Sequence, residues 1–268
     1  MSAVWTAARA SACLILVVAQ HALAQSPYEI SWKKDGLAAG AGVMVLAMGL
    51  GISANVAPLT EEEINALSRE DVNTFDRPAT YNYSETAHNA SEALVWSCMA
   101  LPLSFLVSER MREEAGIIAL MYAETLLFAN GASQIAKGAF QRLRPLAYNP
   151  EVPPADKTDP DVRKSFYSSH ASNAFASAVF FATVYGDYFP DSKWRPYVWG
   201  GSLVAAATVG FLRFEAGEHF PTDVLVGGAV GAALGHLLPR WHRRDAGRLN
   251  VTPVYQLGNA QLRVRWTF

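Results

Sequence analysis

The stretch RFEAGEHFPTDVLVGG places Arg213, His219 and Asp223 among apolar residues, at the spacing Arg-x5-His-x3-Asp. Charged groups are costly in apolar surroundings unless they are paired, hydrogen-bonded or used in chemistry. Because Asp223 follows His219 by four residues, its carboxylate is expected to accept the Nδ1–H of the imidazole. That contact would leave Nε2 free as a nucleophile. A His-x3-Asp pair that stands alone is more often structural than catalytic. The interpretation of this pair therefore depends on the other polar clusters.

A second cluster, KGAFQRLRP, places Lys137 seven residues before Arg144, which is followed by Pro145. Seven residues are about two helical turns, so both side chains project from one face if the helix continues that far. A lysine ammonium beside an arginine fork suits a phosphate group. The alternative is a basic helix end that complements the helix dipole or reaches toward a membrane surface.

A third cluster is YSSHASNAFASA, in which Ser168 or Ser169 can cap a helix that begins near His170. The backbone N–H groups exposed at a helix N-terminus favour an anion. A structural histidine is the alternative for His170. No group of Asp, Glu and His residues has the spacing of a metal site, so we expect neither a metal nor another cofactor.

Six apolar stretches must position these clusters: Gly36–Pro58, Ala93–Ser108, Ala115–Ala136, Ala171–Gly186, Pro196–Leu212 and Val224–Pro239. A membrane-spanning helix needs about 20 apolar residues. The pattern therefore predicts an all-α bundle of five or six mostly membrane-spanning helices, with the three polar clusters at helix ends. Buried helices of a soluble all-α domain are the alternative. Glu124, the acid within the third stretch, is expected to have a structural partner.

The composition agrees with a membrane protein. Hydrophobic residues make up 51% of the chain and charged residues 17%, below the usual quarter. The formal net charge of −2 gives no sign of a nucleic-acid partner.

The N-terminus is typical of a secretory signal peptide. Arg9 precedes the apolar run ACLILVVA, and the sequence ALA stands before Gln25 as a cleavage site. An uncleaved N-terminal anchor is the alternative. Cleavage removes Cys13 and leaves Cys98 as the single thiol, which is then a packing residue.

The remaining segments are polar or alternate in polarity. The acidic connector Leu59–Glu92 is expected to include a short amphipathic helix. After the last apolar stretch, apolar and polar residues alternate around Gly258-Asn259, which predicts a short β-hairpin. The sequence thus divides into a signal peptide (1–24), N-terminal apolar segments with an acidic loop (25–114), a core (115–240) and a basic tail with the hairpin (241–268).

The three clusters together resemble the signature of the type-2 phosphatidic acid phosphatase family, which includes the vanadium haloperoxidases. The residues that agree in type, order and spacing are Lys137-x6-Arg144-Pro145, Ser168-x-His170 and Arg213-x5-His219-x3-Asp223. The resemblance implies an all-α core with the active site at helix ends. It implies that His219 attacks phosphorus, Asp223 orients it, and His170 protonates the leaving oxygen. It also implies a set of phosphate-binding groups: Lys137, Arg144, Arg213, Ser168 and the backbone N–H of Ser169.

The chain departs from the family pattern at two places. The family's Pro-Ser-Gly-His is Tyr167-Ser168-Ser169-His170 here, and the serine before the third-motif arginine is Leu212. Glycine tolerates dihedral angles that serine does not, and Leu212 offers no hydroxyl. Because the charged and imidazole residues are all present, we expect these departures to change substrate preference and rate rather than the chemistry.

The resemblance implies a metal-independent phosphatase that acts on a phosphomonoester or diphosphate of a membrane lipid, through a phosphohistidine. Its partners are then the lipid phosphate and the membrane. The alternatives are a soluble periplasmic acid phosphatase of broad specificity, a vanadate-dependent haloperoxidase and a non-catalytic envelope protein.

We expect the protein in the inner membrane, with the site facing the periplasm. A cleaved signal followed by six spans would place the site in the cytoplasm. Basic residues before the first stretch and after the last favour both of these ends inside: Lys33, Lys34, Arg240, Arg243 and Arg244. One resolution is that Gly36–Pro58 is re-entrant or packed on the surface, which leaves five spans and a periplasmic site.

Overall fold

The computed structural model describes residues 26–244, 249–256 and 259–266. The predicted signal peptide lies outside these residues. Ile30–Arg243 form one compact unit, which holds all three motifs, and the C-terminal strands belong to a second unit. The predicted all-α bundle is confirmed. Six long helices follow the six apolar stretches in order: α1 (Trp32–Ser53), α2 (Glu85–Ala100), α3 (Ala115–Phe140), α4 (Ser169–Tyr188), α5 (Arg195–Glu215) and α6 (Pro221–Trp241).

Helix α1 packs along α3 through small residues. A Cβ added at Gly49 would lie 2.7 Å from the carbonyl oxygen of Gly131, and one added at Gly131 would lie 2.7 Å from the backbone nitrogen of Leu46. The two backbones therefore touch, as small residues allow between apolar helices. Because α1 is a continuous helix of 22 residues, the re-entrant interpretation of Gly36–Pro58 is wrong.

Helix α4 lies at the centre of the bundle. It contacts α2, α3, α5 and α6, and its side chains on these contacts include the buried residues Ala171, Ala174 and Ala178. At Gly227 of α6, an added Cβ would collide with the carbonyl oxygen of Ser168. This close approach fixes the start of α4 against the start of α6, where two of the motifs lie.

The helices alternate in direction, so the motifs gather at one end of the bundle. At the opposite end, Nε2 of His242, just after α6, lies 3.2 Å from Oδ1 of Asp35 near the start of α1. The carbonyl of Tyr188, the last residue of α4, accepts a hydrogen bond from Arg110 at 3.0 Å, also at that end. The end of α3, the start of α4, the end of α5 and the start of α6 therefore meet at the other end.

All the long helices except α4 are long and apolar enough to cross a membrane. Several large apolar side chains on these helices are exposed, among them Leu37, Met44, Val204 and Phe211. Extensive exposed apolar surface of this kind suits lipid better than water. The protein is therefore a membrane protein, in which α4 is enclosed by the other helices.

The connector between α1 and α2 contains a short helix, Glu61–Ala66, as predicted. Thr60 caps this helix: its Oγ1 accepts a hydrogen bond from the backbone N–H of Glu63 at 3.2 Å, and the Glu63 carboxylate accepts one from the N–H of Thr60 at 2.9 Å. The other short elements are the helices Glu109–Glu113 and Pro154–Lys157 and the 3₁₀ segments Arg69–Asp71, Arg77–Tyr81, Leu101–Val107, Pro145–Tyr148 and Pro160–Arg163.

The C-terminal unit contains two antiparallel strands, β1 (Leu249–Gln256) and β2 (Asn259–Trp266). Their register pairs Leu249 with Trp266 and Gln256 with Asn259. This is the arrangement of the predicted hairpin, except that Asn259 begins the second strand instead of lying in the turn.

Candidate active site

The first motif lies where α3 ends. The helix stops at Phe140, and Gln141 adopts a left-handed conformation with a φ of 44°, which is a common way for a helix to end. The helix therefore does not continue as far as Arg144, which is the condition for Lys137 and Arg144 to share one of its faces. The backbone N–H of Arg144 instead donates to the carbonyl of Val162 at 2.7 Å, which fixes the segment that follows the helix.

The second motif forms the start of α4. Ser168 is the N-cap, because its Oγ accepts a hydrogen bond from the backbone N–H of Ala171 at 3.3 Å. Ser169 is the first helical residue, and its Oγ accepts a hydrogen bond from Nζ of Lys137 at 2.8 Å. The lysine of the first motif thus lies beside a helix N-terminus, where an anion is favoured.

The third motif holds His219 in one tautomer. His219 is 1% exposed, and its Nδ1 lies 2.9 Å from the carbonyl oxygen of Ser165. A carbonyl only accepts, so Nδ1 carries the hydrogen and Nε2 keeps its lone pair. Within the part of the chain that the structure describes, Nε2 has no hydrogen-bond partner. Asp223 lies 4.0 Å from Nδ1, so the expectation that its carboxylate accepts this hydrogen is wrong.

Asp223 instead holds the residues around His219. Its Oδ2 accepts hydrogen bonds from the hydroxyl of Ser165 at 2.6 Å and from the backbone N–H of Phe220 at 3.0 Å. Its Oδ1 accepts one from Arg142 at 2.6 Å. The carboxylate therefore fixes both the segment whose carbonyl binds His219 and the turn that follows His219.

Arg142, which the motif pattern does not include, connects the site to the polar connector before α2. Its Nη2 donates to Asp76 at 2.8 Å, and Asp76 also accepts hydrogen bonds from the N–H and the hydroxyl of Thr222, at 3.0 and 2.7 Å. Burial raises the pKa of Asp76, but hydrogen bonds from Asn73 and from these two partners outweigh burial and bring the pKa below its usual value. In the sequence, Arg142 is one of several basic residues near a helix end, and its spacing does not distinguish it.

Arg144 and Arg213 share one carboxylate. Arg213 is 2% exposed, and its Nη2 lies 3.0 Å from Oε2 of Glu218. The guanidinium of Arg144 pairs with the same oxygen. The other oxygen of Glu218 lies 3.0 Å from Nδ1 of His88 in α2. Glu218 was missed although it directly precedes His219, because a single acid between two motif residues has no spacing that marks it.

Helix α2 brings further polar groups to the site. Oε1 of Glu92 lies 2.6 Å from Nε2 of His170, and the hydroxyl of Ser91 accepts a hydrogen bond from Arg213 at 3.2 Å. The sequence interpretation placed these residues in a connector because it began the second apolar stretch at Ala93. The site therefore includes a helix face that the three motifs do not reveal.

The surroundings of the two histidines shift their pKa values. Burial lowers the pKa of His219 well below its usual value, and the motif cations lower it further. His219 is therefore neutral at physiological pH, which is the form that can act as a nucleophile. Burial and then the charge of Arg213 lower the pKa of His170 to about 4, although Glu92 opposes them.

A cavity of about 700 Å³ opens beside these groups. Its lining includes Arg144, Glu218 and His88, together with Asp159 and Asp161 from the loop between α3 and α4. The cavity has room for the rest of a substrate whose phosphate lies at the two arginines.

Residues 118–246 match the model of the PAP2 superfamily. The match covers just under half of the chain, and over this region the chain is similar to that superfamily. The PAP2 region contains all eight residues that the sequence predicted for the site, whereas α1 and α2 lie before it.

Two known proteins are similar to this chain. A curated relative, "Lipid A 4'-phosphatase" of Porphyromonas gingivalis, is 26% identical over 150 residues, which are 53% of this chain and 60% of the relative. The chain thus spans about 60% of the length of the curated relative that it matches. A solved structure, the "first transmembrane PAP2 type phosphatidylglycerolphosphate phosphatase from Bacillus subtilis", gives a TM-score of 0.47 and 20% identity, and the match covers 75% of this chain and 94% of that one.

Proposed function

We propose that this protein is a phosphatase that hydrolyses a phosphate ester of a membrane lipid without a metal. The state of His219 carries the proposal: the carbonyl of Ser165 binds its Nδ1–H, so a lone pair remains on Nε2. Lys137, Arg144 and Arg213 lie near enough to act on this imidazole electrostatically. Three cations supply the charge that a phosphoryl group requires in the transition state.

In the first step, the lone pair on Nε2 of His219 attacks phosphorus, and the bond between phosphorus and the ester oxygen breaks. His170 gives its proton to that oxygen, which leaves as an alcohol. The phosphoryl group is then bound to His219 as a phosphohistidine. Asp223, 4.0 Å from Nδ1, stabilises the positive charge of this ring through space without taking its proton.

In the second step, the neutral His170 takes a proton from a water molecule whose oxygen attacks phosphorus. The bond between phosphorus and Nε2 of His219 breaks, and inorganic phosphate leaves. Both histidines return to their starting forms, so His170 acts first as the acid and then as the base.

The architecture supports a lipid substrate. Leu37, Met44 and Val204 are exposed large apolar residues on helices that suit a membrane, which disfavours a soluble acid phosphatase. The relative whose name is a lipid A phosphatase supports a phosphomonoester, and a diphosphate fits the same chemistry with phosphate as the leaving group. A vanadate-dependent haloperoxidase has no need of lipid-facing helices, and a non-catalytic envelope protein has no need of the lone pair on His219.

We further propose that the protein lies in the inner membrane with the site toward the periplasm. The contact between Asp35 and His242 places the start of α1 and the end of α6 at the end opposite the site. Basic residues lie near these two positions: Lys33, Lys34, Arg240 and Arg243. Such residues favour the cytoplasmic side. A signal peptide cleaved before Gln25 would give the opposite orientation, so the proposal sets that cleavage aside.

Phosphate release from the purified protein in detergent tests the proposed activity. Lipid phosphomonoesters, a prenyl diphosphate and p-nitrophenyl phosphate are assayed with EDTA and with vanadate, and His219→Ala is the control. We expect release from a lipid that persists in EDTA, is inhibited competitively by vanadate and is lost in the variant. Activity that disappears on chelation and returns with one divalent metal would overturn the metal-independent mechanism. Release from p-nitrophenyl phosphate alone would overturn the lipid substrate.

A further inference from the structure

Helix α2 lies outside the PAP2 match, yet one of its faces enters the site. His88, Ser91 and Glu92 are three and four residues apart, which places them on one side of the helix. His88 contacts Glu218, and Ser91 contacts Arg213. This face is a fourth polar cluster, and its residues have no counterpart among the three motifs.

Glu92 makes the closest contact of this cluster. Its Oε1 lies 2.6 Å from Nε2 of His170 and 3.4 Å from Nη1 of Arg213. The shorter distance is that of a charge-assisted hydrogen bond, and the longer one is near the limit for any hydrogen bond. The carboxylate is therefore directed mainly at the imidazole, and its contact with the arginine is secondary.

We propose that Glu92 is a positioning residue for His170, which fixes the imidazole and stabilises its protonated form so that it can donate a proton to the leaving oxygen. The inference rests on the proposed function, in which His170 is the general acid. A carboxylate that accepts an N–H from an imidazole favours the imidazolium. The other charged groups that act on His170 are Lys137 on α3 and Arg213 on α5, both of which disfavour the imidazolium. His219, after α5, is neutral.

The kinetic test compares wild-type protein with Glu92→Gln on an alkyl phosphate and on p-nitrophenyl phosphate. The acid must be protonated, so kcat/KM for the alkyl ester falls as pH rises through the pKa of His170 in the free enzyme. Loss of the carboxylate lowers this pKa, by about one unit or more. At pH values above that pKa, kcat/KM of the variant for the alkyl ester is then expected to be lower than that of the wild type by roughly tenfold or more. p-Nitrophenolate leaves without a proton, so the decrease in kcat/KM for p-nitrophenyl phosphate is expected to be smaller.

Two further variants separate positioning from a structural role. Glu92→Asp keeps the charge on a shorter side chain, and we expect it to recover part of the alkyl-ester activity. Glu62→Gln removes one exposed carboxylate from the connector before α2, away from the cavity lining, and is expected to leave the activity on both esters unchanged. A purely structural role for Glu92 predicts an equal loss on both esters at every pH.

A second measurement does not require turnover. NMR titration of nitrogen-15-labelled histidine, with His170→Gln used to assign the signal, gives the pKa of His170 directly. We expect a lower value in Glu92→Gln than in the wild type, and an intermediate one in Glu92→Asp. If the wild type releases no phosphate from any ester, the proposed function fails while this titration still tests the contact. Equal loss on both esters with an unchanged titration of His170 overturns the inference.

Discussion

At the scale of single residues, the two histidines of the site have different hydrogen-bond partners. Burial and then nearby cations keep His219 neutral, and a backbone carbonyl binds its Nδ1–H. Burial and Arg213 also lower the pKa of His170, but this imidazole contacts a carboxylate that opposes them. Two histidines whose partners differ in this way can divide nucleophilic and acid–base work.

Variants of the two histidines are expected to differ in their dependence on the leaving group. His219→Ala loses turnover on every ester, because no phosphohistidine can form. His170→Ala loses about 10²–10⁴-fold with an alkyl phosphate, which needs a proton, and less with p-nitrophenyl phosphate. Steady-state rates on both esters measure the contrast. If His170→Ala is equally impaired on both while His219→Ala recovers on the activated ester, the roles are reversed.

Asp223→Asn tests whether this carboxylate acts through Ser165. The change weakens the hydrogen bonds from the Ser165 hydroxyl and from Arg142. We expect a kcat between those of the wild type and His219→Ala, and a lower Tm because Arg142 loses one of its two charge partners. Ser165→Ala keeps the carbonyl that binds His219, so its kcat should fall less. A Ser165→Ala variant as inactive as His219→Ala would show that the hydroxyl has a different task.

The low pKa of His170 predicts a specific pH dependence. The acid is protonated only below a pKa of about 4 in the free enzyme, so kcat/KM for an alkyl ester should decrease as pH rises above that value. Bound phosphate adds negative charge beside the imidazole and raises its pKa. The decrease in kcat, which reports the enzyme–substrate complex, is therefore expected at higher pH than the decrease in kcat/KM. If kcat and kcat/KM decrease over the same pH range, this prediction is wrong.

The motifs predicted which side chains meet at the site, but not all of their hydrogen bonds. The partner of Nδ1 in His219 is the carbonyl of Ser165, and any residue type can supply a carbonyl. No side-chain spacing could therefore reveal this contact. The role of Asp223 was assigned from its position four residues after His219, whereas the turn at Phe220 directs the carboxylate to backbone and neighbouring groups.

At the scale of elements, the order of the helices was predictable from apolar runs, but their ends were not. α2 begins at Glu85, well before its apolar part, because Ser84 caps it with an Oγ that accepts the N–H of Ala87 at 3.2 Å. That serine was the signal for the earlier start. In contrast, α3 ends at Phe140 with no glycine or proline to mark the stop, since the left-handed residue is Gln141.

Glu124 of α3 has the structural partner expected of an acid within an apolar helix. Its Oε2 lies 3.1 Å from Nε2 of His242, which also lies 3.2 Å from Asp35. These three buried side chains connect α1, α3 and the end of α6 at the end of the bundle opposite the site. Their task is therefore to hold helices together rather than to act on substrate.

Glu124→Gln is expected to lower the Tm and the yield, while kcat per folded molecule stays unchanged. The amide keeps the shape but loses the charge of a buried pair, so we expect a loss of about 1–3 kcal/mol in the free energy of unfolding. Thermal unfolding and kcat in detergent measure the two effects. Combining the change with His242→Gln should add little further destabilisation, because the pair is already broken. A lower kcat with an unchanged Tm would instead implicate Glu124 in turnover.

At the scale of the whole molecule, the sequence left the number of crossing helices open, because several apolar stretches are short for a span. In the structure, polar residues before an apolar stretch also form helical turns, so the segment that contains α2 extends from Glu85 to Val107. Contacts between distant parts of the chain, such as that of Asp35 with His242, define which helix ends lie together. Such contacts depend on packing and are not visible in local composition.

Cysteine labelling tests the proposed orientation. Lys34 and Asp159 are exposed and lie at opposite ends of the bundle. The native Cys98 is only 2% exposed, and Cys13, which an uncleaved N-terminus retains, is replaced by Ser in both variants. A membrane-impermeant maleimide added to spheroplasts is expected to label Asp159→Cys but not Lys34→Cys. Both variants should react after lysis, which serves as the control. The reverse pattern would place the site in the cytoplasm and restore the cleaved signal peptide.

The carboxylates that pair with the site cations determine how tightly a phosphate can bind. Glu218 contacts Arg144 and Arg213, and Glu92 contacts His170, so the protein's own charges at the site partly balance one another. An incoming phosphate therefore exchanges with the Glu218 carboxylate as the partner of the two arginines, as one anion exchanges with another on an ion-exchange resin. Its affinity is the difference between two sets of ion pairs. In the proposed mechanism, once the bond between phosphorus and His219 has broken, the same carboxylates can return to the cations and displace inorganic phosphate, which limits inhibition by the product.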